Sequence, residues 1–192
     1  MKVYFKQMKS VLMSVVLAGG LAVAGGDNGA VTSSDGYKTG GFFGIRGGFV
    51  FSMQSSVTWL GNQYADDSYD GSGGSFGAHL GGQEGQWRMT LAYEYFDNSD
   101  DQSYDLFLAQ IDYFFLQNPG AIRPYLGLDG GYLSYETSYT DDKGGFAYGG
   151  ALGVAFSIND NFEADISTRY LFATQDEVDH IGSVNFSLNS FY

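Results

Sequence analysis

Apolar residues alternate with small or polar residues along most of this chain, and this period of two constrains the fold most. In residues 86–96, for example, Trp87 and Met89 alternate with Arg88 and Thr90. A period of two is that of a β-strand, whose successive side chains point to opposite faces. The pattern predicts an all-β chain with eight strands of roughly ten residues, a length that suits tilted transmembrane strands. The eight segments are residues 42–54, 75–82, 86–96, 105–115, 124–134, 146–158, 162–171 and 181–192.

The connectors between these segments alternate in length. Longer connectors at residues 55–74, 97–104, 135–145 and 173–180 take turns with shorter ones at 83–85, 116–123 and 159–161. Antiparallel strands that run up and down in sequence order place all the long loops at one end and all the tight turns at the other. The sequence therefore predicts an eight-stranded antiparallel up-and-down β-barrel.

Composition indicates whether the apolar face of this barrel points outward or inward. A soluble lipocalin-like barrel, the alternative, has the same period but a charged outer surface. Charged residues make up only 16% of this chain, against roughly 25% in soluble domains. The non-apolar face is mostly Gly, Ala, Ser and Thr, and no predicted strand contains lysine. This favours a transmembrane barrel with small and polar residues inside. Its interface aromatics would be Trp87, Tyr93, Tyr95, Tyr113, Tyr132, Tyr148 and Tyr170.

The N-terminus has the pattern of a secretory signal peptide. Lys2, Lys6 and Lys9 precede an apolar stretch at residues 11–24, which ends in Ala-Val-Ala. This stretch is shorter than the ~20 apolar residues that a spanning helix needs. We expect a signal peptide at residues 1–24, a flexible N-terminal lead at 25–40 and the barrel domain at 41–192. Cleavage would leave six basic against 22 acidic residues, a net charge of −16.

Four parts of the sequence resemble one barrel superfamily. They are GGFFGIRGGFVFS at residues 40–52, RPYLGLDGGY at 123–132, the run at 145–172 and the last strand ending in Phe191-Tyr192. They resemble the eight-stranded outer-membrane β-barrels, which include the OmpA transmembrane domain and opacity-type proteins. The resemblance implies a place in the outer membrane of a Gram-negative cell envelope, in contact with its lipid. It also implies a C-terminal signal for the barrel-assembly machinery, formed by Val184, Phe186, Leu188 and Tyr192. Ser190 departs from the apolar series of this signal.

Charged residues of both signs fall on the predicted inner face. An eight-stranded barrel is only wide enough for side chains to fill it, so these charges should pair across the lumen. A structural reading makes them a polar core, whereas a functional reading makes them the lining of a narrow pore. Three arginines against five carboxylates would favour cations. The predicted lumen network is Arg46, His79, Arg88, Glu94, Asp112, Asp129, Glu163, Asp165 and Arg169.

Carboxylates also crowd the four long connectors, where Lys143 alone opposes them. They could bind divalent cations or a basic surface partner, or they could simply keep the loops solvated. No calcium-binding loop motif is present, and no metal ligand is assigned. The residues concerned are Asp66, Asp67, Asp70, Asp97, Asp100, Asp101, Asp141, Asp142, Asp176, Glu177 and Asp179.

Other functions find little support in the sequence. Nine basic residues cannot neutralise a nucleic-acid backbone. No cofactor motif occurs, and no catalytic residue is assigned. Only His180, near Asp179 and Ser183, suggests a remote alternative, a lipid-acting hydrolase. We therefore expect a non-enzymatic protein with an envelope-structural or adhesin-like surface role, and a narrow cation-leaning pore as the alternative.

Overall fold

A computed structural model describes residues 31–32, 37–54, 72–97, 102–116, 122–137, 140–175 and 178–192. The predicted signal peptide at residues 1–24 lies outside this part of the chain. The described residues contain no helix long and apolar enough to cross a membrane. The strands are β1 (Val31–Thr32), β2 (Lys38–Gln54), β3 (Gly73–Glu84), β4 (Trp87–Asp97), β5 (Gln102–Phe114), β6 (Ile122–Thr137), β7 (Thr140–Ser157), β8 (Phe162–Gln175) and β9 (Val178–Phe191).

Strands β2 to β9 form a closed barrel. Each pairs antiparallel with its neighbour in sequence, and β2 also pairs with β9. Closure leaves no unpaired sheet edge between these strands. The prediction of an all-β, eight-stranded antiparallel up-and-down barrel is therefore confirmed. We call the end that carries the β3–β4, β5–β6 and β7–β8 connections the short-turn end, and the opposite end the long-loop end.

The strands at the long-loop end are longer than the sequence predicts. Most of the predicted connector at residues 135–145 belongs to β6 and β7, which pair as far as Thr137 and Thr140. Likewise, β8 and β9 pair as far as Gln175 and Val178. The acidic and Gly-rich composition of these segments suggested loops, but ladder pairing with a neighbouring strand outweighs such weak local preferences.

The first barrel strand also begins earlier than the predicted boundary at residue 41. Strand β2 starts at Lys38, and β1 folds back on it through the Val31–Thr39 and Thr32–Lys38 pairs. Tyr37 and Lys38 are buried. Residues 37–40 of the predicted flexible lead therefore belong to the short-turn end of the barrel.

Tight turns at the short-turn end follow from local chemistry. Gly85 has a φ of +57° in the turn between β3 and β4, a conformation that glycine adopts without steric cost. In the β7–β8 turn, the Asn159 side-chain oxygen accepts hydrogen bonds of 2.9 Å from the backbone N–H groups of Asn161 and Phe162. Such side-chain bonds stabilise turns.

Glycines on the inner face leave room for larger side chains and for the adjacent strand. A Cβ at Gly153 would collide with the Tyr125 ring, and one at Gly131 would collide with the backbone carbonyl of Phe107. A Cβ at Gly130, on the outer face of β6, would have no heavy atom within 4 Å. The glycine content of the chain is thus partly a packing requirement of a narrow barrel.

Gly131→Ala and Gly130→Ala test this requirement at adjacent positions. We expect Gly131→Ala to destabilise the barrel by about 2 kcal/mol, because the backbone it meets cannot move aside as a flexible side chain would. Gly130→Ala should change the stability by less than about 0.5 kcal/mol. Denaturant unfolding in detergent micelles measures both. Equal stabilities for the two variants would contradict the packing argument.

Candidate functional site

All nine side chains of the predicted lumen network lie inside the barrel, and each has at most 9% of its surface exposed. They come from six strands, β2, β3, β4, β5, β6 and β8, together with neighbours that the sequence reasoning did not assign to the network. Backbone hydrogen bonds link only adjacent strands, so these side chains supply contacts across the lumen.

One cluster centres on Arg88 of β4. Its Nε donates to Asp112 at 2.8 Å, and its Nη1 approaches Glu163 at 3.2 Å and Asp165 at 3.1 Å. Its guanidinium also lies 4.6 Å from the centre of the Tyr125 ring. Arginine suits this position because its planar fork can bond several carboxylates and stack on a ring at once.

A second cluster centres on Glu94, also on β4. One of its carboxylate oxygens accepts a hydrogen bond of 2.8 Å from Arg46 and one of 2.7 Å from Arg169. Arg169 Nε also lies 3.5 Å from Asp129. Glu94 thereby joins strands β2, β4 and β8, three strands that are not neighbours in the sheet.

Gln110 connects the two clusters. Its side-chain oxygen accepts hydrogen bonds from Arg46 at 3.3 Å and Arg169 at 3.4 Å, and its side-chain nitrogen donates to Asp112 at 2.8 Å. An amide suits this position because it presents an acceptor to one cluster and a donor to the other.

His79 attaches to the Arg88 cluster through Asn189. A ring nitrogen of His79 lies 2.5 Å from the Asn189 oxygen, and the Asn189 nitrogen donates to Asp165 at 2.6 Å. A Cβ at Gly44, between His79 and Asn189, would collide with both side chains. His79 is thus a packed interior residue, with 2% of its surface exposed.

Four polar residues of the interior were not assigned to the network: Lys38, Gln110, Arg123 and Asn189. The alternation places Gln110 and Asn189 on the inner face together with Asp112 and Asn185, so the pattern contained the signal. Arg123 and Lys38 were assigned to a connector and to the lead, yet both are buried, and Arg123 forms an ion pair with Glu163. With these two, five buried cationic side chains accompany the five carboxylates of the network, so the expected excess of two negative charges in the lumen is wrong.

An apolar layer fills the interior at the long-loop end. We call it the apolar cap. Its members are buried and pack together, and the layer places apolar side chains where the sequence analysis predicted a polar lumen. The large residues of the apolar cap are Val50, Phe96, Tyr104, Leu106, Leu108, Leu133, Leu171, Val178 and Ile181.

The outer face carries both aromatic and polar residues at the same level. Phe51, Phe146 and Phe172 are exposed there. Asp97 on β4 and Asp179 on β9 are also exposed. On β5, Asp105 receives a hydrogen bond of 2.5 Å from the Tyr93 hydroxyl. The interior is therefore apolar at this end, whereas the outside is mixed.

The predicted interface aromatics form two bands on the outer face. At the short-turn end, the Trp87 and Tyr113 rings pack at 4.9 Å. Nearer the long-loop end, ring pairs join neighbouring strands at centroid distances of 4.9 to 6.3 Å. These pairs are Phe76–Tyr95, Tyr93–Phe107, Tyr132–Phe146, Tyr148–Phe172 and Tyr170–His180.

Between the bands the outer face is apolar. Ile45, Leu91, Ile111, Leu128 and Leu152 all have more than 40% of their surface exposed. A water-soluble protein does not expose so continuous an apolar belt.

The C-terminal strand places its aromatic residues on both faces. Of the predicted assembly signal, Phe186 and Leu188 are exposed on the outer face, and Val184 and Tyr192 are partly exposed. Phe191 lies inside, with 2% of its surface exposed.

The remote hydrolase grouping does not assemble. Ser183 faces the interior and accepts a hydrogen bond from Asn185 at 3.0 Å. The His180 ring instead stacks on Tyr170 of the outer face at 5.3 Å.

Among the residues that the structure describes, no three His, Asp or Glu side chains form a metal-binding group. Asp66, Asp67, Asp70, Asp100, Asp101, Asp176 and Glu177 lie outside the described residues.

Comparison with solved structures gives the fold type. Neisserial surface protein A (NspA) matches with a TM-score of 0.62 and 17% identity, over 80% of this chain and 99% of that chain. The chain has the fold of the eight-stranded outer-membrane β-barrels. The N-terminal β-barrel domain of Pseudomonas aeruginosa OprF matches this outer-membrane barrel fold with a TM-score of 0.51 and 13% identity, over 78% of this chain and 97% of that one. No protein-family model and no curated protein sequence matches the chain.

Glu94→Gln tests whether the lumen network stabilises this barrel. Removing the carboxylate charge leaves Arg46 and Arg169 buried beside a neutral group, so we expect a loss of about 3 kcal/mol in the free energy of unfolding. Glu84→Gln, at an exposed position on β3, is the control and should change it by less than about 0.5 kcal/mol. Denaturant unfolding in micelles measures both. A Glu94→Gln barrel as stable as the control would show that the network is energetically neutral.

Proposed function

We propose that this protein is a non-enzymatic barrel of the outer membrane that acts through its long-loop end, in envelope structure or surface interaction. The apolar belt between two aromatic bands suits a bilayer. Strands can cross a bilayer only as a closed barrel, because every backbone N–H and C=O group must then be hydrogen-bonded within the sheet. The predicted signal peptide would export the chain to that membrane. Outer-membrane lipid and the barrel-assembly machinery are then its expected partners.

The filled interior is the observation that carries this proposal. The Arg88 cluster crosses the lumen towards the short-turn end, the Glu94 cluster crosses it nearer the middle, and the apolar cap lies beyond them at the long-loop end. A permeating ion would have to break paired charges and then pass an apolar layer that offers it no ligands. The balance of five cationic and five anionic side chains also removes the basis for cation preference. The described interior therefore favours a closed barrel over the alternative of a narrow pore.

The long-loop end is the part of the barrel best suited to binding. There the barrel interior is apolar, and Asp97 of β4 and Asp179 of β9 are exposed on the outside. The sequence adds many carboxylates to this end and only Lys143 to oppose them. Such a surface attracts basic partners and repels anionic ones. A basic surface partner is the proposed class, and divalent cations that bridge to other anionic groups are the second.

Conductance measurement tests the closed interior. Refolded protein that shows the heat-dependent shift in gel mobility of a compact barrel should give no discrete current steps in a planar bilayer, because the lumen offers no continuous hydrated path. Regular current steps that depend on the cation would overturn the proposal of a closed interior and support the alternative, a narrow cation-leaning pore.

Binding of poly-lysine tests the acidic end. The triple variant Asp66→Asn, Asp67→Asn and Asp70→Asn should bind this polycation about fivefold more weakly at low salt, if each charge contributes about 0.3 kcal/mol. Added salt should weaken binding to the unsubstituted protein. Glu84→Gln, at the short-turn end, is the control and should leave the affinity unchanged. An affinity that responds to neither the triple substitution nor salt would count against the proposal.

A further inference from the structure

The seam between β2 and β9 is where this barrel closes, and its register needs a determinant beyond alternation. The two strands pair from Phe42 with Phe191 through Gln54 with His180. A slip of one residue would turn the apolar face inward, but a slip of two would keep every side chain on its own face. The outer-facing pairs of the two strands, such as Ile45 with Leu188 and Gly47 with Phe186, discriminate poorly between such registers. The register therefore depends on contacts inside the barrel.

Lys38 occupies a position that depends on this register. Its side chain is buried, and its Nζ donates to the backbone carbonyls of Asn159 at 2.6 Å and Phe162 at 2.7 Å. Asn159 lies in the turn between β7 and β8, and Phe162 is the first residue of β8. The ammonium of the first barrel strand therefore reaches across the short-turn end of the barrel to a turn that precedes the last two strands.

Phe191 lies between Lys38 and the interior. The Lys38 ammonium is 4.9 Å from the centre of the Phe191 ring, which packs against Phe42 at 5.2 Å. The backbone N–H of Phe191 donates to the Asn161 carbonyl at 2.7 Å, and that of Tyr192 donates to the Gly41 carbonyl at 3.0 Å. The last strand, the first strand and the β7–β8 turn thus meet at a single point.

We propose that Lys38 and Phe191 form a register lock, an internal clasp that is complete only when β2 and β9 pair in their native register. A slip of two residues moves one strand by about 6.6 Å along the other. That movement would take Phe191 away from Phe42 and separate the ammonium from the ring. A buried ammonium without its hydrogen-bond acceptors is strongly unfavourable, so the slipped barrel is penalised although its faces are correct.

Disulfide trapping reads the register directly, and the chain has no cysteine to interfere. Phe43→Cys with Ser190→Cys reports the native register, because these residues are directly paired. Phe43→Cys with Leu188→Cys reports a slip of two residues in one direction, and Ile45→Cys with Ser190→Cys reports it in the other. In the native barrel both of these pairs are diagonal, and their Cα atoms are too far apart for a disulfide. The protein is refolded in detergent micelles without the assembly machinery, so that recognition of the C-terminus does not contribute.

Lys38→Met removes the ammonium and keeps the apolar stem, and Phe191→Leu removes the ring and keeps an apolar residue. In both variants we expect the yield of the slipped cross-link to rise about tenfold. Lys38→Met loses the hydrogen bonds of the ammonium, and Phe191→Leu loses the ring that packs against it. Lys38→Arg should restore the native cross-link, since it keeps the charge and the donors. Lys143→Met is the matched control at the long-loop end.

The proposal is overturned if Lys38→Met and Phe191→Leu both form only the native cross-link, with the same yield as Lys143→Met. If Lys38→Met does not refold, the register of Phe191→Leu decides by itself. The poly-lysine and conductance results do not bear on this inference, because the lock lies at the opposite end from the acidic surface.

Discussion

The narrowness of an eight-stranded barrel is the constraint on which the rest of this structure depends. Such a barrel is filled by its own side chains and leaves no hydrated space for a lone charge. The charges inside must therefore bond to one another, as Arg88 does with Asp112 and Asp165, and as Glu94 does with Arg46 and Arg169. The same lack of space explains why glycine is needed opposite the large interior side chains. Barrels of about 16 to 18 strands, by contrast, leave an aqueous channel in which a lone charge can be hydrated.

The interior of the barrel changes from polar to apolar towards the long-loop end. In the middle, polar residues face inward and apolar residues face outward, which suits a membrane. Towards the long-loop end, Phe96 and Leu106 face inward, and the outside combines exposed aromatics such as Phe146 with the exposed carboxylate of Asp97. One continuous set of strands can contain both interiors because a period of two specifies two faces and leaves open which face is apolar. Aromatic rings beside polar groups are the composition expected at a membrane interface.

Most of the fold could be predicted from the sequence, and the reasons for success and failure are physical. The strands were recognisable because alternation is a local property that each strand carries in its own residues. The ends of β6 and β7 were not, because their acidic and Gly-rich composition is that of a loop and only pairing between the two strands makes them sheet. The pairing partners inside the lumen could not be predicted either. That Glu94 meets Arg169 depends on tilt and stagger around the whole barrel, which no local pattern records.

The interior network also changes how the barrel responds to local damage. Ladder hydrogen bonds connect each strand to its two neighbours, so a barrel held by ladders alone could open at one seam and keep the rest. Here Arg46 of β2 and Arg169 of β8 both donate to the same carboxylate oxygen of Glu94 on β4. Gln110 of β5 joins this cluster to the Arg88 cluster through Asp112. Opening the β2–β9 seam would draw Asn189 of β9 away from His79 of β3 and Arg169 of β8 away from Glu94, and would expose buried charges far from the seam. Because buried networks are favourable only when every member is satisfied, the seam and the lumen should form and fail together as one cooperative unit.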